Sequence, residues 1–330
     1  MISVTFFYRS PRKTGLSIEG IFSLVSDCLK DKVIVKSFYC DSAQSNVANT
    51  IEAGKHTSDV NHITGDVHYL AIGFKKGKNI LTIHDLGHYS NLRKKSFIRF
   101  QFFKWFWYKL PLLNLDIVTV VSNFTKEKVM SELGVPESKI RVVHDPIKPV
   151  FKFTQPMPRR DKFHILQVGT GPHKNLKGLL DAVKGCQQYH IDIVAYPNES
   201  DLQLLNAAGV SYTVYNGLTD HELYMRYVEC DILFFASFHE GFGMPIIEAQ
   251  AVGRPVITSG IGAMKEVAGE TAALVNPQKP EEIRAAIDWL YTDATYYNQL
   301  VELGRENNLP YTHEVIAAQY LQIYKELTAQ

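Results

Sequence analysis

Short, nearly unbroken apolar runs alternate with stretches of helical periodicity, and the pattern starts twice. Runs at residues 2–7, 33–39, 79–83, 117–121 and 140–143 fill the first half, and runs at 163–168, 191–195, 212–215, 232–236 and 255–258 fill the second. This is βαβ spacing. Strands with little polar alternation are buried on both faces, as parallel strands under helices are, so the expected fold is α/β with two doubly wound, Rossmann-like domains facing a cleft. Between the halves, Pro146, Pro149, Pro156 and Pro158 precede Arg160 and Asp161 in a segment with no period. The expected division is a domain over 1–150, a linker over 151–161 and a domain over 162–311. A closing helix over 312–330 follows from Ala317, Tyr320, Leu321, Tyr324 and Leu327 at helical spacing after Thr312.

A chain of 330 residues is too long for one comfortable core, which agrees with two domains. No run approaches the roughly 18 to 20 apolar residues of a spanning helix, and residues 1–7 read as a strand rather than a signal peptide. Cys28, Cys40, Cys186 and Cys230 have neither disulfide-framework nor metal-motif spacing. A cytoplasmic protein with reduced thiols is therefore expected. Net charge is +1 overall, but residues 1–150 carry 21 Lys and Arg against 13 Asp and Glu, while residues 151–330 carry 14 against 21. The basic half fits an anionic surface, and no nucleic-acid motif accompanies it.

Ligands of doubly wound sheets bind beyond the carboxyl ends of the strands, which directs attention to DILFFASFHEGFGMPIIEAQAVG at 231–253. A buried strand ends near Ser237, a loop carries Glu240, Gly241, Phe242 and Gly243, and Pro245 suits the first turn of a helix through Glu248. Backbone amides at Gly243 and Met244 make an anion site suited to a diphosphate. Glu240 and Glu248 are well separated along the chain axis, so one could meet a sugar and the other a ribose. The plain alternative is a Gly-rich crossover with a surface Glu on either side.

The pair Glu240 and Glu248 in EGFGMPIIEA resembles the Glu-x7-Glu signature of retaining glycosyltransferases of family 4, which have the GT-B fold. In chain order the resemblance extends through the Gly-containing loop at 12–20, TIHDLGH at 82–88, VSNFTKEKV at 121–129, QVGTGPHKNLKGLL at 167–180, YNGLTDHEL at 215–223, VITSG at 256–260 and a final helix ending QIYKEL. Residues 40–78 and 91–115 match no pattern of this kind. The resemblance implies an acceptor-side first domain, a nucleotide-sugar-binding second domain and a last helix that closes back on the first. It assigns Glu240 to the donor sugar, Gly241, Phe242, Gly243 and Met244 to sugar and diphosphate, and Glu248 to the ribose. Lys174 would neutralise the leaving diphosphate, and His84 would face the donor sugar. Gly217 and Leu218 would lie beside the base, where the bare reading is an exposed Asn-Gly turn. Two departures weaken the expected phosphate clamp: Gly169 stands where the family often has Arg, and His173 replaces the commoner Arg before Lys174. His173, Lys177 or the loop at Gly15 could compensate.

No GxGxxG follows the first strand and no GxxxxGK[ST] exists, which disfavours a dinucleotide oxidoreductase and a P-loop kinase. His84 and His88 have the i, i+4 spacing of a zinc helix, but Gly87 and the missing Glu argue against it, so no metal and no cofactor is expected. Residues 93–109 hold six cations, no acid and eight aromatic rings. Such a segment can lie on an anionic membrane on the inner face, or form a buried aromatic helix with snorkelling ends.

The expected function is a metal-independent, retaining transfer of a hexosyl group from a UDP- or GDP-sugar to a glycan or lipid-linked acceptor, as in polysaccharide biosynthesis. A nucleotide-sugar epimerase or hydrolase, and a catalytically silent membrane adaptor, are the rivals.

Overall fold

The computed structural model describes residues 1–10, 18–87, 101, 104–158 and 160–329. The chain forms two compact units, residues 1–146 with 313–330, and residues 147–312. Each is built on one six-stranded sheet.

In the first unit the strands are β1 (Ser3–Tyr8), β2 (Ile34–Tyr39), β3 (Val60–Ile63), β4 (Lys78–Ile83), β5 (Ile117–Val120) and β6 (Ile140–Val142), in the order β2-β1-β3-β4-β5-β6. All pairs are parallel. Alternate residues of β1 point to opposite faces. Phe7 packs with Ile63, Leu81 and Val118 on one face, while Val4, Phe6 and Tyr8 pack with Phe22 on the other. The last helix, His313–Thr328, covers that second face with Ile316, Tyr320, Tyr324 and Leu327. Its anchor is polar. His62 on β3 is fully buried and bonds Tyr324 Oη at 2.7 Å through Nδ1 and Thr82 Oγ1 at 2.8 Å through Nε2, and Thr82 continues to Thr119 at 2.6 Å.

In the second unit the strands are β7 (Phe163–Val168), β8 (Tyr189–Val194), β9 (Ser211–Tyr215), β10 (Ile232–Phe235), β11 (Val256–Ser259) and β12 (Ala273–Val275), in the order β12-β11-β10-β7-β8-β9. These pairs are also all parallel. The chain leaves β7 toward β8 and β9, then crosses back to add β10, β11 and β12 on the other side. The order therefore reverses between β7 and β10, which opens a crevice at their carboxyl ends.

Two strands escape the sequence pattern. β3 is four residues long and carries the polar Asn61 and His62, and β12 has three residues, too few for a period to show. The segment 151–161 also differs from a free linker. Phe151 is buried edge-on to Tyr227, and Thr154 donates its amide to Val252 and accepts Arg254 at 2.8 Å, so the segment is stitched into the second unit. Fully buried Arg254 holds it by spending its guanidinium on backbone carbonyls of residues 154, 228, 230, 252 and 253.

Candidate active site

Lys174 follows β7 and Glu240 follows β10, so strand order brings together two residues 66 positions apart at the reversal point. Lys174 Nζ donates to Glu240 Oε1 at 2.7 Å, with both side chains less than a fifth exposed. The ammonium also lies 4.5 Å from the centre of the Phe235 ring. A partly buried pair held by a ring on one side is screened less than a surface ion pair and keeps its geometry.

Gly169 explains why this lysine can lie where it does. The residue has φ +88°, and a Cβ there would come within 3.1 Å of Lys174 Cε and 3.2 Å of its Cγ. A side chain at 169 would press on the Lys174 stem, which would have to shift by a few tenths of an ångström, and the positive φ strains any residue but glycine, so an Arg is disfavoured beside this conformation. His173 sits next to the pair, with Nε2 3.9 Å from Glu240 Oε1 and its ring 4.9 Å from that of His239. Gln167 braces the loop by donating to the carbonyls of Gly169 and Lys174 at 2.9 and 3.1 Å. Asn175 adopts a left-handed conformation at φ 58° and donates to Ala236 and Pro277 carbonyls, tying the end of β7 to the ends of β10 and β12.

Past Glu240, Gly241 and buried Phe242 lead to Gly243, whose φ of +118° is open to glycine and strained for other residues. Gly243 caps the helix Met244–Val252, with Pro245 in its first turn. Pro245 has no amide hydrogen and the Ile246 amide bonds the Gly243 carbonyl at 2.9 Å, and the start of a helix is a favourable place for negative charge. One face and the other of this helix are equally apolar, and Ile246, Ile247, Ala249 and Val252 are fully buried.

Glu248 lies in that helix at 0% exposure. Its Oε2 accepts from Tyr227 Oη at 2.8 Å, while Oε1 has no hydrogen-bond partner among the described residues. Burial pushes its carboxyl up to about 7, against the opposing effects of the Tyr227 bond and the Lys148 charge. Lys148 is itself paired with Asp220 at 2.7 Å. Gly217 and Leu218 follow β9, on the same sheet edge but two strands from β7. Gly217 has φ +62° and is exposed, and Leu218 is half-buried.

In the first unit, His84 follows β4. Its Nε2 donates to the Thr64 carbonyl at 2.9 Å and Nδ1 lies 3.5 Å from Asp145 Oδ1. Burial pulls its proton affinity down, but the Asp145 charge and hydrogen bond and the Thr64 carbonyl outweigh this and raise it. Gly15 and His88 lie outside the described residues. Of the basic aromatic stretch, 93–100, 102 and 103 also lie outside them. Its end, Lys104–Lys109, is a π-helical turn with Trp105 56% and Phe106 45% exposed, Tyr108 buried, and Lys109 capping the Leu133 carbonyl at 2.7 Å.

Tyr227, Gln167, Asn175, His239, Lys148 and Asp145 were not read from the sequence as site residues. Asn175 had a signal, since Asn after Lys tolerates a left-handed turn; the others become visible only through strand order.

Residues 162–293 match the family described as glycosyl transferases group 1, and residues 54–150 match glycosyltransferase family 4. The chain is 27% identical over 223 residues to the MMP alpha-(1->4)-mannosyltransferase of Mycolicibacterium hassiacum, covering 64% of this chain and 54% of that protein. It thus spans about half the length of that relative. Among solved structures, sucrose-phosphate synthase of Thermosynechococcus elongatus superposes with a TM-score of 0.80 at 17% identity over 100% of both chains. HepE of Anabaena in complex with UDP gives 0.77 at 15% identity, over 99% of this chain and 100% of that one. Two parallel six-stranded sheets, a family match in each unit and this shared fold place the chain among the family 4 glycosyltransferases of the GT-B fold.

Proposed function

We propose that the chain is a retaining glycosyltransferase that moves a hexosyl group from a nucleotide-diphosphate sugar to a hydroxyl of a glycan or lipid-linked acceptor, with no metal ion in the reaction. The observation that carries this reading is the 2.7 Å pair of Lys174 and Glu240 beside the start of the helix Met244–Val252. An ammonium has three N–H donors, so Lys174 can hold Glu240 with one and a phosphate oxygen with the others. In the reaction the bond from the anomeric carbon to the β-phosphate oxygen breaks and a bond to the acceptor oxygen forms on the same face. The acceptor proton passes to an oxygen of the departing diphosphate. Lys174 and the amides at Gly243 and Met244 stabilise the charge that grows there. Glu240 orients the sugar hydroxyls, and a ribose hydroxyl would supply the partner that Glu248 Oε1 lacks among the described residues. His84 is assigned to the sugar by its family position, with Asp145 holding its proton.

The name of the Mycolicibacterium relative makes mannosyl donors the first to try, and the UDP complex of HepE supports including UDP-sugars beside GDP-sugars. The test is binding of a panel of nucleotide sugars, then acceptor trials with the best donor. Acceptor-dependent release of nucleoside diphosphate, with the donor's anomeric configuration in the product, is expected. Release at the same rate without acceptor would make the chain a hydrolase, and isomerised donor an epimerase. Activity should survive a chelator, and loss restored by added magnesium or manganese would overturn the metal-free step.

No helix among the described residues is long and apolar enough to cross a membrane. For a lipid-linked acceptor, we propose contact with an anionic surface through 93–109, supported by exposed Trp105 and Phe106 beside the cations of that stretch. Cosedimentation with anionic but not neutral vesicles, falling with salt, is expected, since each cation contributes about 1 kcal/mol at such a surface. No binding to anionic vesicles at low salt would remove this surface from the reading.

A further inference from the structure

We propose that His164, His190 and Asp192 bind one divalent transition-metal ion, of which Zn²⁺ is the natural probe, at a place in the second unit separate from the Lys174–Glu240 pair. His164 on β7 is in register with His190 on β8, and Asp192 stands two residues further along β8, so all three side chains leave the same face of two hydrogen-bonded strands. One donor atom from each lies within 4.8 Å of the others. His164 Nδ1 is 2.6 Å from Asp192 Oδ2, and His190 Nε2 is 3.7 Å from Asp192 Oδ1. The imidazole rings are 4.7 Å apart. Ligands around a tetrahedral zinc, each about 2.0 to 2.2 Å from it, stand roughly 3.3 to 3.6 Å apart, so the ion would replace the His164–Asp192 hydrogen bond and draw His190 slightly closer.

The supporting bonds favour this use. Ser211 Oγ lies 3.3 Å from the Tyr189 carbonyl, to which it donates, and it receives Lys162 Nζ at 2.8 Å. With its one proton so engaged, it accepts from His190 Nδ1 at 2.9 Å. That leaves Nε2 as the lone-pair nitrogen, turned toward Asp192 and accepting from Thr213 Oγ1 at 3.0 Å. Tyr215 Oη donates to Asp192 Oδ1 at 3.3 Å and fixes the carboxylate. Metal-binding imidazoles are held by such bonds from their second nitrogen. A single carboxylate offers little to a hard ion bound by charge, whereas two imidazoles suit zinc and its first-row neighbours.

Position in the strand separates this site from the reaction. His164 is the second residue of β7, whereas Lys174 lies beyond that strand's carboxyl end, and the strand advances roughly 3.3 Å per residue. The ion would cross-link β7 and β8 and raise the stability of the unit. It is outside the chemistry proposed above and does not depend on it.

Calorimetric titration of the chelator-treated, desalted full chain with zinc chloride should give one ion per chain, with magnesium chloride giving none, and zinc should raise the melting temperature. His190→Gln and Asp192→Asn should each weaken zinc by at least the roughly 10- to 100-fold that loss of a supporting bond alone costs a metal site. Both should keep the parent's far-ultraviolet dichroism and nucleoside diphosphate affinity. If Asp192→Asn does not fold, His164→Gln takes its place. Absence of zinc binding in the parent, or zinc affinity unchanged in folded variants, overturns the proposal and leaves the three side chains as a hydrogen-bonded brace.

Discussion

His62 in the first unit and Glu248 in the second are both buried at 0% exposure, and the two are treated differently. In the first unit both ring nitrogens of His62 are bonded, one to the last helix through Tyr324 and one to β4 through Thr82. In the second unit one oxygen of Glu248 is bonded to Tyr227 and the other to nothing among the described residues. A buried polar group that is fully satisfied works as a joint, and here it fastens a helix from the far end of the sequence onto β3. A half-satisfied one costs stability that only an added partner can return.

The sharpest way to break this contrast lies at the crevice of the second unit. Glu240→Gln should lower turnover about 100- to 1,000-fold if its carboxylate acts on the sugar in the transition state. The nucleoside diphosphate Kd should stay within roughly threefold, because that carboxylate is not assigned to the nucleotide. Steady-state kinetics and calorimetry check the split, and equal losses in both would reassign Glu240.

Next in size is the pH dependence of stability. Glu248 holds its proton to about 7 in the folded chain, against an ordinary 4.5. Its contribution is complete below pH 4.5 and is lost as pH rises through 7, at a cost of about 3 kcal/mol above that. Glu248→Gln should remove this loss, so its advantage in denaturant melts should grow between pH 5 and 8. His62 runs the other way: burial, with the His84 charge behind it, lowers it to about 3 from 6.5. The unfolded chain then binds the proton first, so stability falls as pH drops from 6.5 toward 3, by up to about 1.4 kcal/mol per unit. Identical pH profiles for the parent and Glu248→Gln would remove the contrast.

Lys174→Ala should weaken nucleoside diphosphate binding by about 1.5 to 3 kcal/mol, the range for hydrogen bonds to a charged group, and should also lower turnover. Unchanged diphosphate binding would place that lysine outside the anion site. Smallest is Tyr324→Phe, which orphans His62 Nδ1 and should cost about 1 to 3 kcal/mol of stability in chemical denaturation. Nucleoside diphosphate affinity should not move, and a parallel loss of binding would mean that the joint in the first unit also serves the site.

The fold was largely legible because buried parallel strands announce themselves by continuous apolar runs. Glu240 and Glu248 were legible as a spaced pair, and Lys174 by its place before Asn175. What failed to show were features without a local period. β3 hides behind Asn61 and His62, whose polar side chains are buried only because partners arrive from β4 and the last helix.

The amino-acid sequence by itself determined the two α/β halves, the glycine-opened loop ahead of Pro245 and the residue types at the crevice, because hydrophobic period and backbone freedom act over a few neighbouring residues. Only the tertiary structure decided that Lys174 meets Glu240, that Gly169 lies against the lysine stem, that Glu248 is buried with one oxygen unbonded among the described residues, and that His164, His190 and Asp192 converge. Those facts depend on strand order and register, which are set by packing between segments tens of residues apart.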